Sequence, residues 1–410
     1  MKQILTMALA ALVIGGSAYA QDKKADNKNK PVFTTIKSNP ITSIKDQNRS
    51  GTCWAYSTLG FFEDEILKAT GKTYDLNEMF VANKTYMDRA IKAARMHGDV
   101  SFSQGGSSYD VLYCLQNYGI IPEDAMPFPG SLQGDSLANF NEFFSVMEPY
   151  MAAVVKDAKG KKLTPVWKKG LQGILDAYLG KCPESFKYEG KTYTPKSFAA
   201  SLGINLNDYL TITSYTHHPF YSQFAVEVQD NWRWPLSWNL PMEDMKRVID
   251  NAIDKGYTVA WGGDVSEDGF TRKGLGIAYD TKKVQSLAGS DAARWLRLSS
   301  TAKNDKLDSL GVNAPEIVPT QEMRQEAYDN WETTDDHGMV IFGVAKDQNG
   351  REYYMVKNSW GEYGDYKGIW YMSKNYVIYK TMDFMVNKNA VPKDILKKME
   401  DALKKKTVTD

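Results

Sequence analysis

The segment Gln47-Asn48-Arg49-Ser50-Gly51-Thr52-Cys53-Trp54-Ala55-Tyr56-Ser57 carries a cysteine at the point where loop residues give way to helical periodicity. Ala55, Leu59, Phe62 and Ile66 recur at the spacing of one helix face. Ser50-Gly51-Thr52 supplies turn and capping residues just ahead, so the pattern predicts a helix that starts at Cys53. A thiol is a useful nucleophile only as thiolate. The unpaired N–H groups of a helix N-terminus favour that anion. Gln47, earlier in the same loop, carries an amide that can donate to an oxyanion, with the Cys53 N–H as second donor.

A thiolate also needs an imidazole, and the chain has four histidines: His97, His217, His218 and His337. His337 is the best candidate, because it opens an apolar, strand-like run that ends at Ala345. Asp347-Gln348-Asn349-Gly350 then signals a turn, and Tyr353 to Lys357 reads as the returning strand. With a four-residue loop, Asn358 stands opposite Met339, which shares a face with His337. Asn358 is then the diagonal same-face neighbour of His337. An amide oxygen there holds one imidazole nitrogen protonated and aims the other at Cys53, which is the logic of a catalytic triad.

The remaining chain is read more coarsely. Tyr109 to Tyr118 patterns as a helix stopped by Gly119. Residues 126–240 mix Lys-rich helical stretches, polar loops and the cluster Trp232, Trp234, Trp238, and read as an insertion. Pro241 opens an amphipathic helix through Met245, Val248, Ile249, Ala252 and Ile253, ended by Gly256. Strands are expected at Tyr257 to Trp261 and Ile369 to Met372, and a charged helical tail over 392–410. Ordered sequence begins near Val32, and the C-terminal third is strand-rich.

The 410 residues are 42% hydrophobic and 12% aromatic, which suits a large packed core. Fifty basic and fifty acidic side chains cancel, so no nucleic-acid partner is expected. Lys2, the apolar run Ile4 to Ile14 and Ala18-Tyr19-Ala20 form a cleavable signal peptide over 1–20. Polar residues 21–31 follow as a linker. The mature chain is expected to start near Gln21, to work in the periplasm or outside the cell, and to have no membrane segment after cleavage. Residues 21–52 are too few for a sizeable inhibitory pro-domain. Three cysteines, Cys53, Cys114 and Cys182, leave at least one thiol unpaired. Both a Cys114–Cys182 bridge and a buried free Cys114 are compatible with the pattern. His217-His218 lack a spaced partner, so no metal is expected.

The Cys53 segment resembles the active-site string of papain-like cysteine peptidases, and three further elements follow in that family's order. Asp336-His337-Gly338-Met339 looks like its histidine strand, Lys357-Asn358-Ser359-Trp360-Gly361 matches its Asn-Ser-Trp-Gly motif, and Gln104-Gly105-Gly106 resembles its substrate-binding glycine loop. The resemblance implies Cys53 as nucleophile, His337 as general base and acid, Asn358 as orienter and Gln47 as oxyanion donor. It implies that Gly105 and Gly106 bind substrate main chain and that Trp360 shields the His–Asn pair. It also implies an α+β fold of two lobes over a catalytic domain at 32–391, helical on the left and β-rich on the right and carrying the large insertion, with peptide substrates and no cofactor.

The long interval between Cys53 and His337, the stretch from His218-Pro219-Phe220 to Asp230-Asn231-Trp232, and Gly256 to Trp261 resemble the bleomycin hydrolase and aminopeptidase C branch. There an arm at the C-terminus lies in the cleft and its carboxylate limits cleavage to single N-terminal residues; a hexameric ring is implied by the same analogy. This chain departs at three points: Gly338 where Ala is expected, an export signal, and a Lys-rich helical tail in place of an apolar arm. Aminopeptidase and open-cleft endopeptidase action therefore both stand. A catalytically silent binding protein of the same fold is a rival from another class, as is acyl transfer to an amine. The intact Gln47, Cys53, His337 and Asn358 set argues against the former, and the Asn-Ser-Trp-Gly string against the latter.

Overall fold

A computed structural model describes residues 29–126, 137–158, 162–281 and 309–409, with a few single positions between 282 and 308. The expected signal segment and most of the 21–31 linker lie outside the described residues. After strand β1 (Thr34–Ser38) the chain builds a helical lobe from α1 (Cys53–Thr70), α2 (Glu78–Arg95), α3 (Ser108–Asn117), α4 (Asn141–Ala158), α5 (Val166–Leu179) and α6 (Pro195–Ser201). A small hairpin, β2 (Phe186–Tyr188) with β3 (Lys191–Tyr193), joins α5 to α6. Phe61, Tyr86, Val111, Phe143, Leu171 and Phe198 bring every one of these helices into one apolar core. The first helix starts at Cys53, as its periodicity requires, and stops where Gly71 turns left-handed at φ 72°.

The second lobe is an eleven-stranded sheet. Its strands are β1, β4 (Tyr209–Thr213), β5 (Ser222–Phe224), β6 (Ser237–Asn239), β7 (Val259–Gly263), β8 (Phe270–Thr271), β9 (Leu275–Gly276), β10 (His337–Lys346), β11 (Glu352–Lys357), β12 (Ile369–Ser373) and β13 (Thr381–Asn387). They run in the order β5-β6-β4-β13-β7-β10-β11-β12-β9-β8, with β1 added to β10. Helices α7 (Met242–Asp254), α8 (Gln321–Asp329), α9 (Lys374–Lys380) and α10 (Lys393–Thr409) belong to this lobe. Met245, Ile249, Ala327, Val377 and Ile395 from these helices share an apolar core with Ile341 and Val356 of the sheet. The architecture is the expected α+β, two-lobed one. Val340 and Ala260 of the sheet reach into the helical core, so α1 lies directly against β10 and β7.

Three differences from the sequence reading have physical causes. Asp347 N donates to Arg351 O and Arg351 N donates to Asp347 Oδ1, each at 3.0 Å, and Lys346 pairs with Glu352, so the hairpin loop is one residue longer than the four expected. A bulge at Phe342 takes up the extra residue, because Lys346 faces Glu352 but Ile341 faces Val356. The two shifts cancel, and the continued register still sets Asn358 opposite Met339.

The stretch read as an insertion divides. Helices α4, α5 and α6 pack on the helical core, whereas Tyr209 onward enters the main sheet as β4, β5 and β6. Strands this short, with β6 buried throughout and β4 at all but Leu210, give no alternating signal. The tail helix is not a simply solvated one. Ile395 and Met399 are buried, Arg247 grips Asp394 through two bonds of 2.9 Å, and Lys398 reaches Asp244 at 3.2 Å. Among the described residues, no helix is long and apolar enough to cross a membrane.

Candidate active site

Cys53 opens α1 at the seam between the lobes. Thr52 occupies the N-cap position without capping through its side chain; its Oγ1 instead meets Ser50 Oγ at 2.5 Å. Ala55 N and Tyr56 N both bond Thr52 O, which leaves the Cys53 and Trp54 amides of the first turn without a backbone acceptor among the described residues. The loop ahead is clamped by Gln104, whose side chain accepts from Gly51 N at 2.7 Å. The carbonyl of Gln104 also accepts from Trp54 Nε1 at 3.0 Å and Tyr86 Oη at 2.9 Å. From the far side, Lys357 Nζ bonds Asp64 at 3.2 Å and Thr42 Oγ1 at 3.0 Å. This buried pair ties α1 to the end of β11, one residue before Asn358.

His337 begins β10, and its Nε2 meets Asn358 Oδ1 at 2.8 Å. The same oxygen accepts from Ser359 N at 2.8 Å, which fixes the amide. With Nε2 engaged, Nδ1 is the nitrogen left to serve the sulfur. Trp360 covers the imidazole, with ring centroids 4.8 Å apart and planes tilted by 36°. The next residue, Gly338, lies against α1. A Cβ there would come within 2.5 Å of Ser57 Oγ and 3.5 Å of Cys53 O. The glycine that replaces the expected Ala is therefore what lets β10 approach the nucleophile's helix so closely.

Gln47 is buried. Its Nε2 donates to Ser50 O at 2.8 Å and its Oε1 accepts from Ser359 Oγ at 2.7 Å. One amide hydrogen therefore remains for an oxyanion. Gly105 and Gly106 line the same cavity as Cys53, Trp54, His337 and Gly338, a space of about 180 Å³. The buried Arg89 holds the Gly105 carbonyl through Nη1 at 2.5 Å. A Cβ on Gly105 would sit 1.8 Å from Asp230 Oδ2, and one on Gly106 2.9 Å from the Trp54 ring. The structure thus gathers all seven sequence-derived residues around one seam: Cys53, His337, Gly105 and Gly106 on the cavity wall, and Gln47, Asn358 and Trp360 directly behind it.

The electrostatics of the pair are informative. Burial pushes the Cys53 thiol up to about 12; the amides of Gly338 and Trp54 pull it back, and the carboxylates of Asp335 and Asp230 add to the rise. Burial pulls the His337 imidazole down to about 4, against the bond from Asn358. Neither charge is stable here alone.

Sequence reasoning assigned no role to Gln104, Arg89, Asp230, Asp335 or Asp383. Several stood inside recognised strings, but what they do depends on contacts between distant segments. Cys53, Cys114 and Cys182 are all free thiols. Among the described residues, one His/carboxylate grouping could hold a metal ion: His217, His218 and Glu227, with donor atoms within 4.8 Å of one another. His217 Nε2 lies 3.1 Å from Glu227 Oε2. It borders a neighbouring pocket, not the Cys53 cavity, and the third donor was invisible to a search for spaced His or Cys.

Comparison with known proteins agrees with this geometry. The model of the Peptidase C1-like family matches residues 2–294 and 316–409. Aminopeptidase C of Lactobacillus helveticus is 25% identical, over 94% of this chain and 90% of its own length. Aminopeptidase G of Lactobacillus delbrueckii subsp. lactis is 24% identical over 87% and 83%. The solved structure of PepW from Lactobacillus rhamnosis HN001 superposes with a TM-score of 0.66, covering 94% of this chain and 88% of that one at 19% identity.

Proposed function

The chain belongs to the Peptidase C1-like family of papain-like cysteine peptidases, and from that premise we propose that it is an exported aminopeptidase acting through Cys53, His337 and Asn358. The observation that carries the reading is the 2.8 Å bond from His337 to Asn358 beside a cysteine at a helix start.

In this mechanism His337 Nδ1 takes the Cys53 proton as the sulfur attacks the peptide carbonyl carbon. The oxygen becomes an oxyanion, held by the Cys53 N–H and the remaining Gln47 N–H. The imidazolium then gives its proton to the amine nitrogen, the C–N bond breaks, and a thioester remains on Cys53. Water, deprotonated by His337, attacks the thioester; the C–S bond breaks and the acid product leaves. Asn358 keeps the ring aligned in both directions, and Trp360 keeps water from the His–Asn bond.

The names of the relatives support release of single residues from a free N-terminus. A second reading, open-cleft endopeptidase action, is favoured by one observation: α10 is pinned on α7, and none of its described side chains lines the cavity. Fluorogenic peptides with free and acetylated N-termini separate the two. The aminopeptidase reading requires turnover of the free amine and little of the blocked one; efficient cleavage of the blocked peptide refutes it. In either mode Cys53→Ser abolishes turnover. Export is supported by Lys2, the apolar run to Ile14 and Ala18-Tyr19-Ala20. The mass of the mature protein should correspond to a start at Gln21; an intact Met1 in the purified exported fraction contradicts it.

A further inference from the structure

The cavity beside the nucleophile has a feature that the peptide-bond chemistry does not use. Four carboxyl groups line it, Asp230, Asp335, Asp336 and Asp383, and among the described residues no lysine or arginine does. Two of the four are compensated by the fold. Asp230 Oδ1 takes Arg89 Nη2 at 3.2 Å and Ser103 Oγ at 3.3 Å. Asp336 accepts from the amides of Val265 and Ser266 at 3.3 and 3.2 Å and from Thr334 Oγ1 at 2.9 Å. Asp383 has only the Ser237 hydroxyl, at 3.2 Å. Asp335 has no hydrogen bond and no ion pair with any described residue; it is half-buried and lines both this cavity and the neighbouring pocket.

A carboxyl group on a cavity wall with no cationic partner of its own is open to one brought by a ligand. We propose that this acidic wall, centred on Asp335 and backed by Asp383, binds a cationic nitrogen of the substrate: the α-ammonium of its first residue or the basic side chain of a residue near the scissile bond. The proposal deepens the peptidase reading of the same cavity and rests on it for the word substrate.

Three observations converge on it. Asp335 stands two residues before His337 on the cavity wall, so a cation bound there is held near the reacting carbonyl. The carboxyls are poised to gain a charge partner. Burial, then Asp230, Asp383 and Asp336, hold Asp335 well above the usual carboxylate range, and burial brings Asp383 up to about 6. A cation entering the cavity supplies what Arg89 supplies to Asp230 and draws both groups into their ionised form. Finally, Asp335 and Asp230 both oppose a thiolate on Cys53.

Calorimetric titration of the full-length Cys53→Ser protein tests the site without turnover. The probes are L-alaninamide, which offers an α-ammonium, N-acetyl-L-argininamide, which offers only a basic side chain, and N-acetyl-L-alaninamide, which offers neither. One charged probe should bind at least tenfold more tightly than the neutral one, and which of the two does so identifies the source of the cation. Asp335→Asn should weaken that probe by about ten- to a hundredfold, the range of a hydrogen bond to a charged group. Asp383→Asn should weaken it less. Iodoacetamide should alkylate Cys53 in the Asp335→Asn enzyme no more slowly than in the wild type, which keeps loss of the site distinct from loss of the fold. Equal binding of all three probes, or unchanged binding in both Asp variants, overturns the proposal. Failure of the peptidase reading would look different: Cys53→Ser would retain turnover while the titration result stood.

Discussion

Replacing Asn358 with alanine removes the group that orients His337 and little else. Asn358 is buried, and its Oδ1 serves only His337 Nε2 and Ser359 N, each at 2.8 Å. Its Nδ2 is buried without any partner, so truncation sacrifices no bond on that side. Trp360 still covers the imidazole, and Lys357 still anchors the end of β11. The fold should therefore survive. Catalysis should not, because the 2.8 Å bond gains strength when His337 takes the Cys53 proton. A hydrogen bond to a charged group contributes roughly 1.5–3 kcal/mol. At 1.36 kcal/mol per decade, losing it lowers kcat by about 10- to 150-fold. KM should change little, since Asn358 does not line the substrate cavity. Steady-state kinetics on an aminoacyl coumarin amide, alongside a thermal melt, measure both quantities. A kcat within about twofold of wild type, with the melt unchanged, refutes the orienting role.

Two further predictions concern packing and titration. Gly338→Ala places a methyl 2.5 Å from Ser57 Oγ and should cost about 1–3 kcal/mol in urea unfolding, with Ser57→Ala restoring most of it; no loss in the single variant would show that β10 and α1 are not in the contact described. Burial raises Glu65 from 4.5 to about 7, against the bonds from Asn387 and Tyr209. Because the folded value is the raised one, the stability tied to this group is complete below pH 4.5 and is lost as pH climbs through 7. The 2.5-unit difference between those values corresponds to about 3 kcal/mol. Glu65→Gln should flatten that slope between pH 5 and 8; an unchanged slope would place the titration elsewhere.

Much of the site was legible in local strings, because the chemistry needs particular residues at fixed offsets. Cys53 after a turn, His337 opening a strand and Asn358 past a hairpin are all short-range patterns. The register between the last two was reached through two compensating errors. The loop is longer than expected, and the bulge at Phe342 depends on β1. Gly343 follows that bulge, and a Cβ there would lie 2.7 Å from Lys37 O. A close approach between segments about three hundred residues apart in sequence leaves only a glycine as its local trace. The acidic wall was illegible for the same reason. Asp230, Asp335 and Asp383 come from three separate segments with no shared period. The middle of the chain hid its sheet membership because β5 and β6 are three residues each, too short to show alternation.

The central claim is that Cys53 is a nucleophile made reactive by His337. Stoichiometric iodoacetamide, followed by peptide mass spectrometry and residual activity on the same samples at pH 7, tests it most directly. Alkylation should fall on Cys53 in preference to Cys114 and Cys182, with activity lost in proportion, and His337→Ala should leave Cys53 largely unmodified, since burial, with Asp335 and Asp230 adding to it, holds the thiol up at about 12. Full modification of Cys53 with activity retained, or equal labelling of Cys53 in the His337→Ala protein, would contradict the account.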